Sequence, residues 1–271
     1  MSMADLLDRE MGDIFVELFE ETSEPILFVN PSEVQLEAAI VTASEYEDDL
    51  PELRIIAAPE TLKTMADDFL IASETADLIH RDKLSLRTVD EVYRSSMVVM
   101  EDRIVTLVQF DGRIDGLQSD DGELVETARQ SLMSAWEEGD EFTLRTPPIS
   151  EVRETLRDEI GPQVEEDFTT VLTSLDEIRG SNGLDEVAIS LLVAARNNIL
   201  LYDISKWGED VGLASKATFS RTKTRLEDLG ILDTEKVPID VGRPRLRLKL
   251  ADDSMTERPA DEMIEQLEEQ M

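Results

Sequence analysis

Residues 211–232 read VGLASKATFSRTKTRLEDLGIL, and this stretch decides the fold of the C-terminal part of the chain. Gly212-Leu213-Ala214 is a tight turn. Ser215 follows as an N-cap, its hydroxyl able to meet the N–H groups that the first turn of a helix leaves unpaired. The helix it opens runs to Leu229, and Gly230 stands where a left-handed residue closes a helix. Phe219, Leu226 and Leu229 fall on one face, at spacings of 7 and 3, and are expected to pack inward. Lys216, Ala217, Ser220, Arg221 and Thr224 then face outward. From Lys216 to Arg225 the helix carries four bases and no acid.

Working outward, Asp185–Asn197 is helical, with Val187, Ile189, Leu191, Leu192 and Ala195 apolar, and Ile204–Val211 makes a second helix. Beyond Gly230, Ile231–Ile239 and Arg245–Leu250 read as strands joined by Asp240-Val241-Gly242-Arg243-Pro244. Three helices followed by a β-hairpin is the winged helix-turn-helix order. The quoted string resembles the winged-helix pattern in which a G-L turn leads into S-x-x-T-Φ-S-R and then R-L-x-x-x-G-Φ. The matching residues are Gly212, Leu213, Ser215, Thr218, Phe219, Ser220, Arg221, Arg225, Leu226, Gly230 and Ile231. Lys223 departs from it, standing where an apolar residue is common, and can snorkel from the edge of the core.

Charge supports the same reading independently. The chain of 271 residues has 62 acidic and 26 basic side chains, a net charge of −36. Residues 196–249 invert that bias, with 11 Lys or Arg against 8 Asp or Glu, a balance of +3. Arg243, Arg245, Arg247 and Lys249 alternate with Pro244, Leu246, Leu248 and Leu250, so a strand there puts its bases on one face. A basic helix beside a basic wing, in so acidic a chain, implies a polyanion; the competing use is a winged helix for protein contacts. The DNA-contact candidates are Lys206, Ser215, Lys216, Ala217, Ser220, Arg221, Lys223, Thr224, Arg225, Arg243, Arg245 and Arg247. Lys206, Lys216 and the wing would hold phosphates of double-stranded DNA. Arg221 and Ser220 would read base edges in the major groove. A homodimer on two half-sites is expected.

Acid on nearly every predicted helix, rather than in one block, points to a cytoplasm at molar salt, where the Debye length is only about 3 Å. Hydrophobic residues make up 41%, enough for a real core. With no Cys and one His, thiolate metal sites, disulfides and His-based triads have little to draw on. No run of about 18 apolar residues suggests a membrane span. The acidic N-terminus is unlike a signal peptide, and the expected location is cytoplasmic.

The first 148 residues alternate short apolar runs with helical patterns. Met3, Leu6, Leu7, Met11, Ile14, Phe15, Leu18 and Phe19 open with helical spacing. Strands are expected at Ile26–Asn30, Leu53–Ala58, Leu84–Val89 and Phe142–Arg145, with a hairpin from Met97–Met100 and Ile104–Phe110. Helices are expected at Ser32–Tyr46, Glu60–Ile79 and Gly122–Trp136. The fold class is therefore an α/β N-terminal domain with a partly parallel sheet, a helical connector and a C-terminal winged helix-turn-helix. Pro147-Pro148 and Ser181-Asn182-Gly183 punctuate it. The expected divisions are 1–148 for sensing or dimerisation, 149–180 as connector, 181–251 as the DNA-binding domain, and 252–271 as an acidic tail with helical potential. In the connector Val164, Phe168, Val171, Leu175 and Ile178 form a stripe, read either as packing against a neighbouring domain or as a dimer seam.

This layout, with the segment LRDEIGPQVEEDFTTVL (156–172) and the acidic bias, resembles the haloarchaeal TbsP-type transcriptional regulators. The resemblance implies control of sugar-metabolism genes, gluconeogenesis among them. Nothing in the sequence suggests an enzyme, a cofactor or a metal site. There is no phosphate loop, and the Asp111–Gly122 stretch lacks the ligands of a calcium loop. For a small-molecule effector such as a sugar phosphate, two places offer themselves. One is the carboxyl ends of the first two strands, at Ser32 and Thr61. The other is the basic cluster of His80, Arg81 and Lys83, with Arg87. A DNA-binding architectural protein without a ligand is the alternative.

Overall fold

The computed structural model describes residues 11–89, 95–110, 113–177, 184–238 and 244–268. Residues 3–10 of the first helix, Arg243 at the wing tip, and the hinge at 181–183 lie outside them, as do Ile178 and the Leu175 side chain of the connector stripe. The chain divides into two compact units, Met1–Pro148 and Ile149–Met271.

The first unit runs α1 (Met11–Glu20), β1 (Ile26–Val29), α2 (Glu33–Glu45), β2 (Leu53–Ala57), α3 (Pro59–Asp67), α4 (Phe69–His80), β3 (Leu84–Thr88), β4 (Ser96–Val99), β5 (Ile104–Phe110), β6 (Arg113–Ser119), α5 (Gly122–Glu138) and β7 (Asp140–Glu141). The strands form one sheet in the order β6-β5-β4-β1-β2-β3-β7. β1, β2 and β3 are parallel, and the remaining pairings are antiparallel. Period-two alternation divides the apolar side chains between the two faces. Phe28, Ile55, Leu86, Val98 and Val105 join the core formed with α1–α4. Leu27, Val29, Ile56, Val99 and Ile104 pack with Val125, Leu132 and Trp136 of α5.

Three local readings change. The helix expected over Glu60–Ile79 is two helices. Asp68 ends α3 and caps α4, its carboxylate accepting the Ile71 N–H at 3.1 Å, so the short side chain competes with the helical backbone. The last strand is Asp140–Glu141 rather than Phe142–Arg145, set by pairing of Arg87 with Glu141 and Thr88 with Asp140. An unexpected strand, β6, pairs with the whole of β5 from Ile104↔Ser119 to Phe110↔Arg113.

The second unit comprises α6 (Ile149–Glu159), α7 (Pro162–Glu177), α8 (Glu186–Arg196), α9 (Leu201–Asp210), α10 (Lys216–Asp228), β8 (Leu232–Val237), β9 (Arg245–Leu250), a 3-10 turn at Asp253–Glu257 and α11 (Ala260–Glu268). Here α6 and α7 are not a free connector. Val164, Phe168 and Val171 are buried, and α7 packs on α6, α8 and α11. The described part of the stripe, read either as packing or as a dimer seam, is thus filled by helices of its own unit. Residues 252–268 are also drawn in, because Ala260, Met263, Ile264 and Leu267 give α11 an apolar face.

A polar network locks α7 to α8. Asp167, 5% exposed, accepts from Arg196 Nη1 and Asn197 Nδ2, each at 2.7 Å, and Arg196 Nη2 donates to the Arg258 carbonyl at 2.6 Å. Asp167→Ala leaves a guanidinium, 17% exposed, without its carboxylate. Unfolding in denaturant at molar KCl is expected to show a loss of about 3 kcal/mol. A loss under about 0.5 kcal/mol, the scale of a neutral surface change, would return α7 to the role of a loose connector.

Candidate nucleic-acid interface

The helix-turn-helix is shaped by how its helices stop. At the end of α8, the Asn198 N–H donates to the Ala195 carbonyl at 3.1 Å and the Ile199 N–H to that of Ala194 at 2.9 Å, with Asn198 at φ 57°. α9 ends the same way, through Gly212→Glu209 at 3.3 Å and Leu213→Gly208 at 2.8 Å, with Gly212 at φ 84°. α10 repeats it through Gly230→Glu227 at 2.9 Å and Ile231→Leu226 at 3.0 Å, with Gly230 at φ 72°. These are Schellman closures, in which a left-handed residue lets the chain turn back on its last carbonyls. At the start of α10, the Ser215 hydroxyl accepts the Thr218 N–H at 3.2 Å, so Ser215 is engaged as a cap.

The contact between α9 and α10 is close. Gly208 is buried, and a Cβ on it would lie 2.4 Å from the Cε2 and Cζ atoms of Phe219. Phe219 and Leu226 are fully buried on the inner face of α10, with Thr222 between them. Leu229, expected to join them, is 46% exposed, because it is the C-cap where the chain leaves the helix. Beside Gly208, Trp207 is 1% exposed, meets Phe168 edge-on at 6.5 Å and donates its indole N–H to the Thr155 hydroxyl at 3.0 Å. Ile199 and Leu200, before α9, add to the wing. The Leu248 N–H donates to the Ile199 carbonyl at 2.9 Å, and Leu200 bridges antiparallel to Arg247.

This packing leaves Ala217, Ser220, Arg221, Thr224 and Arg225 exposed along α10 and Lys216 half-buried at its start. The Arg221 guanidinium meets the Thr218 hydroxyl at 3.3 Å. Lys206 is exposed on α9 and pairs with Asp210. Lys216 pairs with Glu209, whose carboxylate also accepts the Lys216 backbone N–H at 3.3 Å. These hydrogen bonds hold the Glu209 carboxyl below its ordinary range and raise the Lys216 ammonium. Lys223 lies away from the group. Its side chain is 12% exposed and holds Glu227 at 2.6 Å, which in turn accepts the Thr234 hydroxyl at 3.1 Å. It therefore ties α10 to β8.

In the wing, Leu248 and Leu250 are buried and Arg245, Arg247 and Lys249 alternate outward, half-buried. The Arg245 guanidinium stacks 4.5 Å over the Tyr202 ring and lies 3.4 Å from Asp203. The register sets Glu235 opposite Arg247, and Glu235 approaches Arg247 at 3.7 Å and Lys249 at 3.0 Å. Sequence reasoning counted the acids of this segment in its charge balance but did not set them against particular bases. The signal was available, since Asp203, Glu209, Asp210 and Glu235 lie within the same basic segment.

The effector candidates do not assemble. Ser32 caps α2 in a reciprocal pair with Gln35, and Thr61 lies in the first turn of α3, both at the carboxyl ends of parallel strands. His80, Arg81 and Lys83 lie at the opposite end, where α4 enters β3. Lys83 is spent on Asp49 at 2.8 Å and the Leu50 carbonyl at 2.7 Å, and Arg81 lies 3.8 Å from Asp77. Arg87 closes the C-terminus of α5, donating to the carbonyls of Trp136 at 2.6 Å and Glu137 at 3.0 Å while stacking 5.0 Å from the Trp136 ring. The helices between the parallel strands, α2 and α3–α4, share one core on one face of the sheet. The crossovers after β1 and β2 therefore leave to the same face, and β1–β2 is not a topological switch point.

Three helices, the third with an outward basic face, and then an antiparallel hairpin define a winged helix-turn-helix protein. The chain belongs to the TbsP-like transcriptional regulators. The family's C-terminal HTH domain profile matches residues 148–268, and its N-terminal profile matches residues 3–147. No curated protein matches. Among solved structures, one described as TrmBL2, an archaeal chromatin protein with a novel mode of DNA binding, aligns at 17% identity and a TM-score of 0.34. That alignment covers 52% of this chain and 58% of the other, a likeness too loose to carry an argument. No helix among the described residues is long and apolar enough to cross a membrane.

The α9–α10 contact gives the prediction here. Gly208→Ala forces a methyl into the Phe219 ring, and overpacking of this kind costs about 1–3 kcal/mol. Thermal unfolding in molar KCl is expected to show that loss, and the companion Phe219→Leu should relieve part of it in the double variant. An unchanged melting temperature for Gly208→Ala would mean that the two helices separate more readily than their packing indicates.

Proposed function

We propose that this regulator binds DNA sequence-specifically, with α10 in the major groove and the β8–β9 wing along the phosphates. The observation that carries the reading is Arg221. It is exposed at the middle of the outward face of α10, and the Thr218 hydroxyl is the contact its guanidinium makes among the described residues. Arginine in that position is suited to the paired acceptors of guanine. Lys206, Lys216, Arg245 and Arg247 flank it from α9, the start of α10 and the wing, as phosphate contacts, with Arg243 assigned to the same group on sequence alone. Ser220, Ala217, Thr224 and Arg225 complete the outward face.

The genes controlled are those of sugar metabolism, gluconeogenesis among them, as the TbsP-type resemblance implies. The protein works as a homodimer, through surface other than the buried α7 stripe, and light scattering at molar KCl tests the assembly. The first unit takes any metabolite signal, and a thermal-shift screen of sugar phosphates in molar KCl tests for one. The excess of 36 negative charges suits a molar-salt cytoplasm. Circular dichroism should show the fold kept in molar KCl and lost in dilute buffer; full retention at low salt argues against that setting.

Two substitutions separate reading from positioning. Arg221→Ala is expected to cost about 1–3 kcal/mol on the best site and to relax preference at one base pair. Arg245→Ala should weaken all sequences about equally, because a phosphate contact carries no sequence information. Binding isotherms on matched and scrambled operators, at one KCl concentration, distinguish them. If both variants and their combination bind as the parent does, the helix and wing are not the DNA-reading surface, and a protein-contact role takes its place.

A further inference from the structure

The surface assigned to DNA is not a bare basic face. Lys216 on α10 is held by Glu209 on α9, Arg245 on β9 by Asp203 on α9, and Arg247 and Lys249 on β9 by Glu235 on β8. Lys206 is held by Asp210 within α9. Three of the four carboxylates therefore reach across from one element to the next, where the elements meet. They are open to solvent, with side-chain exposures of 44% for Glu209, 42% for Asp203 and 48% for Glu235. Arg221 stands outside this pattern, with its contact to a hydroxyl.

A carboxylate oxygen and a phosphate oxygen are like partners for an ammonium or guanidinium. A cation drawn fully onto one gives up close geometry with the other. Resting on the reading that this face meets DNA, we infer that Glu209, Asp203 and Glu235 are intramolecular competitors of the DNA backbone. They set how strongly the protein binds phosphates and how steeply that binding depends on salt.

The ion balance gives the inference its content. Neutralising a phosphate releases condensed cations from DNA, which makes affinity fall with salt by a slope of about 0.9 per phosphate. When the phosphate displaces a carboxylate, that carboxylate is left beside a polyanion and gathers a cation from solution. Uptake opposes release, so the net slope is shallower than the number of bases on the face suggests. The phosphate contacts lose by the exchange. A base contact from Arg221 loses nothing, because no carboxylate has to be displaced. The acids thus lower affinity for a matched site and for bulk DNA about equally, and leave discrimination to Arg221.

The test uses the full chain, a mixed-sequence duplex and a matched operator, with fluorescence anisotropy across a KCl series in which circular dichroism shows the fold intact. Glu209→Gln/Glu235→Gln removes two competitors. Asp203→Asn/Glu235→Gln is a second pair, in case the first perturbs the α9–α10 turn. Glu151→Gln/Glu154→Gln removes the same charge from exposed positions on α6 that pair with none of these cations. The competitor variants are expected to bind the mixed-sequence duplex roughly three- to tenfold more tightly at the lowest usable KCl. Their salt slope should be steeper by about one to two units, and their matched-to-mixed ratio unchanged because the gain is shared by both duplexes, with the α6 control like the parent. Unchanged slope and affinity in both competitor pairs, or an equal shift in the α6 control, would overturn the inference. Failure of the parent and every variant to bind either duplex at any KCl is a different result, and overturns the DNA reading itself.

Discussion

Everything in the second unit depends on the place where Gly208 meets Phe219. α9 and α10 can cross only because one residue presents no side chain to the other's ring, with 2.4 Å between that ring and where a Cβ would be. That approach fixes which side of α10 is inward, and so which side is left to solvent. Trp207, the neighbour of Gly208, carries the constraint in another direction. Its ring rests against Phe168 of α7 and its N–H finds Thr155 of α6. Two adjacent residues of one short helix therefore hold α10, and hold it to the helices that precede the motif. This is why α6 and α7 belong to the unit and cannot act as a hinge arm.

Legibility in the sequence followed the range of the interactions concerned. Features fixed within a few residues were readable. The Ser215 cap and the Gly230 closure are where the sequence puts them, since capping is a local competition for unpaired backbone groups. The buried strands β1 and β2 were readable as apolar runs. β6 was not, because RIDGLQS has no apolar run and its pairing is supplied by β5. Its one local signal was Asp111-Gly112, a common hairpin dipeptide, between two extended segments. Asp68 was missed as a helix break because no Gly or Pro marks it; an acidic side chain does the work that such residues usually do.

The site was readable in part, for the same reason. A helical wheel separates Phe219 and Leu226 from Ser220 and Arg221, and the fold keeps that separation. It does not show that the Lys223–Glu227 pair of α10 is tied onward to Thr234 of β8, nor that Leu229 is the C-cap. A partner in β8 decides the first, and the turn of the chain at Gly230 decides the second. The basic cluster at 80–87 illustrates the limit most plainly. Its charges are close in sequence, yet Lys83 serves the β2 entry loop through Asp49 and Leu50, while Arg87 serves the end of α5. Adjacency along the chain put together residues that a β-strand then carried to opposite ends of the sheet.

The balance of charge in the second unit also has a physical order. A chain with 62 acids could have met a polyanion by clearing acids from one face altogether. This one instead keeps Asp203, Glu209, Asp210 and Glu235 among its bases. In dilute buffer such a face attracts a phosphate weakly, since Lys206, Lys216, Arg245, Arg247 and Lys249 already have carboxylate partners. At molar salt the comparison changes. Screening over about 3 Å removes most long-range attraction whether the acids are present or not. What survives is contact: short, directional hydrogen bonds from groups held in place. Ion pairs between elements help to hold those groups, as Asp203 and the Tyr202 ring do for Arg245. Where distance attraction fails, a protein would give up little by keeping acids beside its bases, and would gain cations that are already oriented.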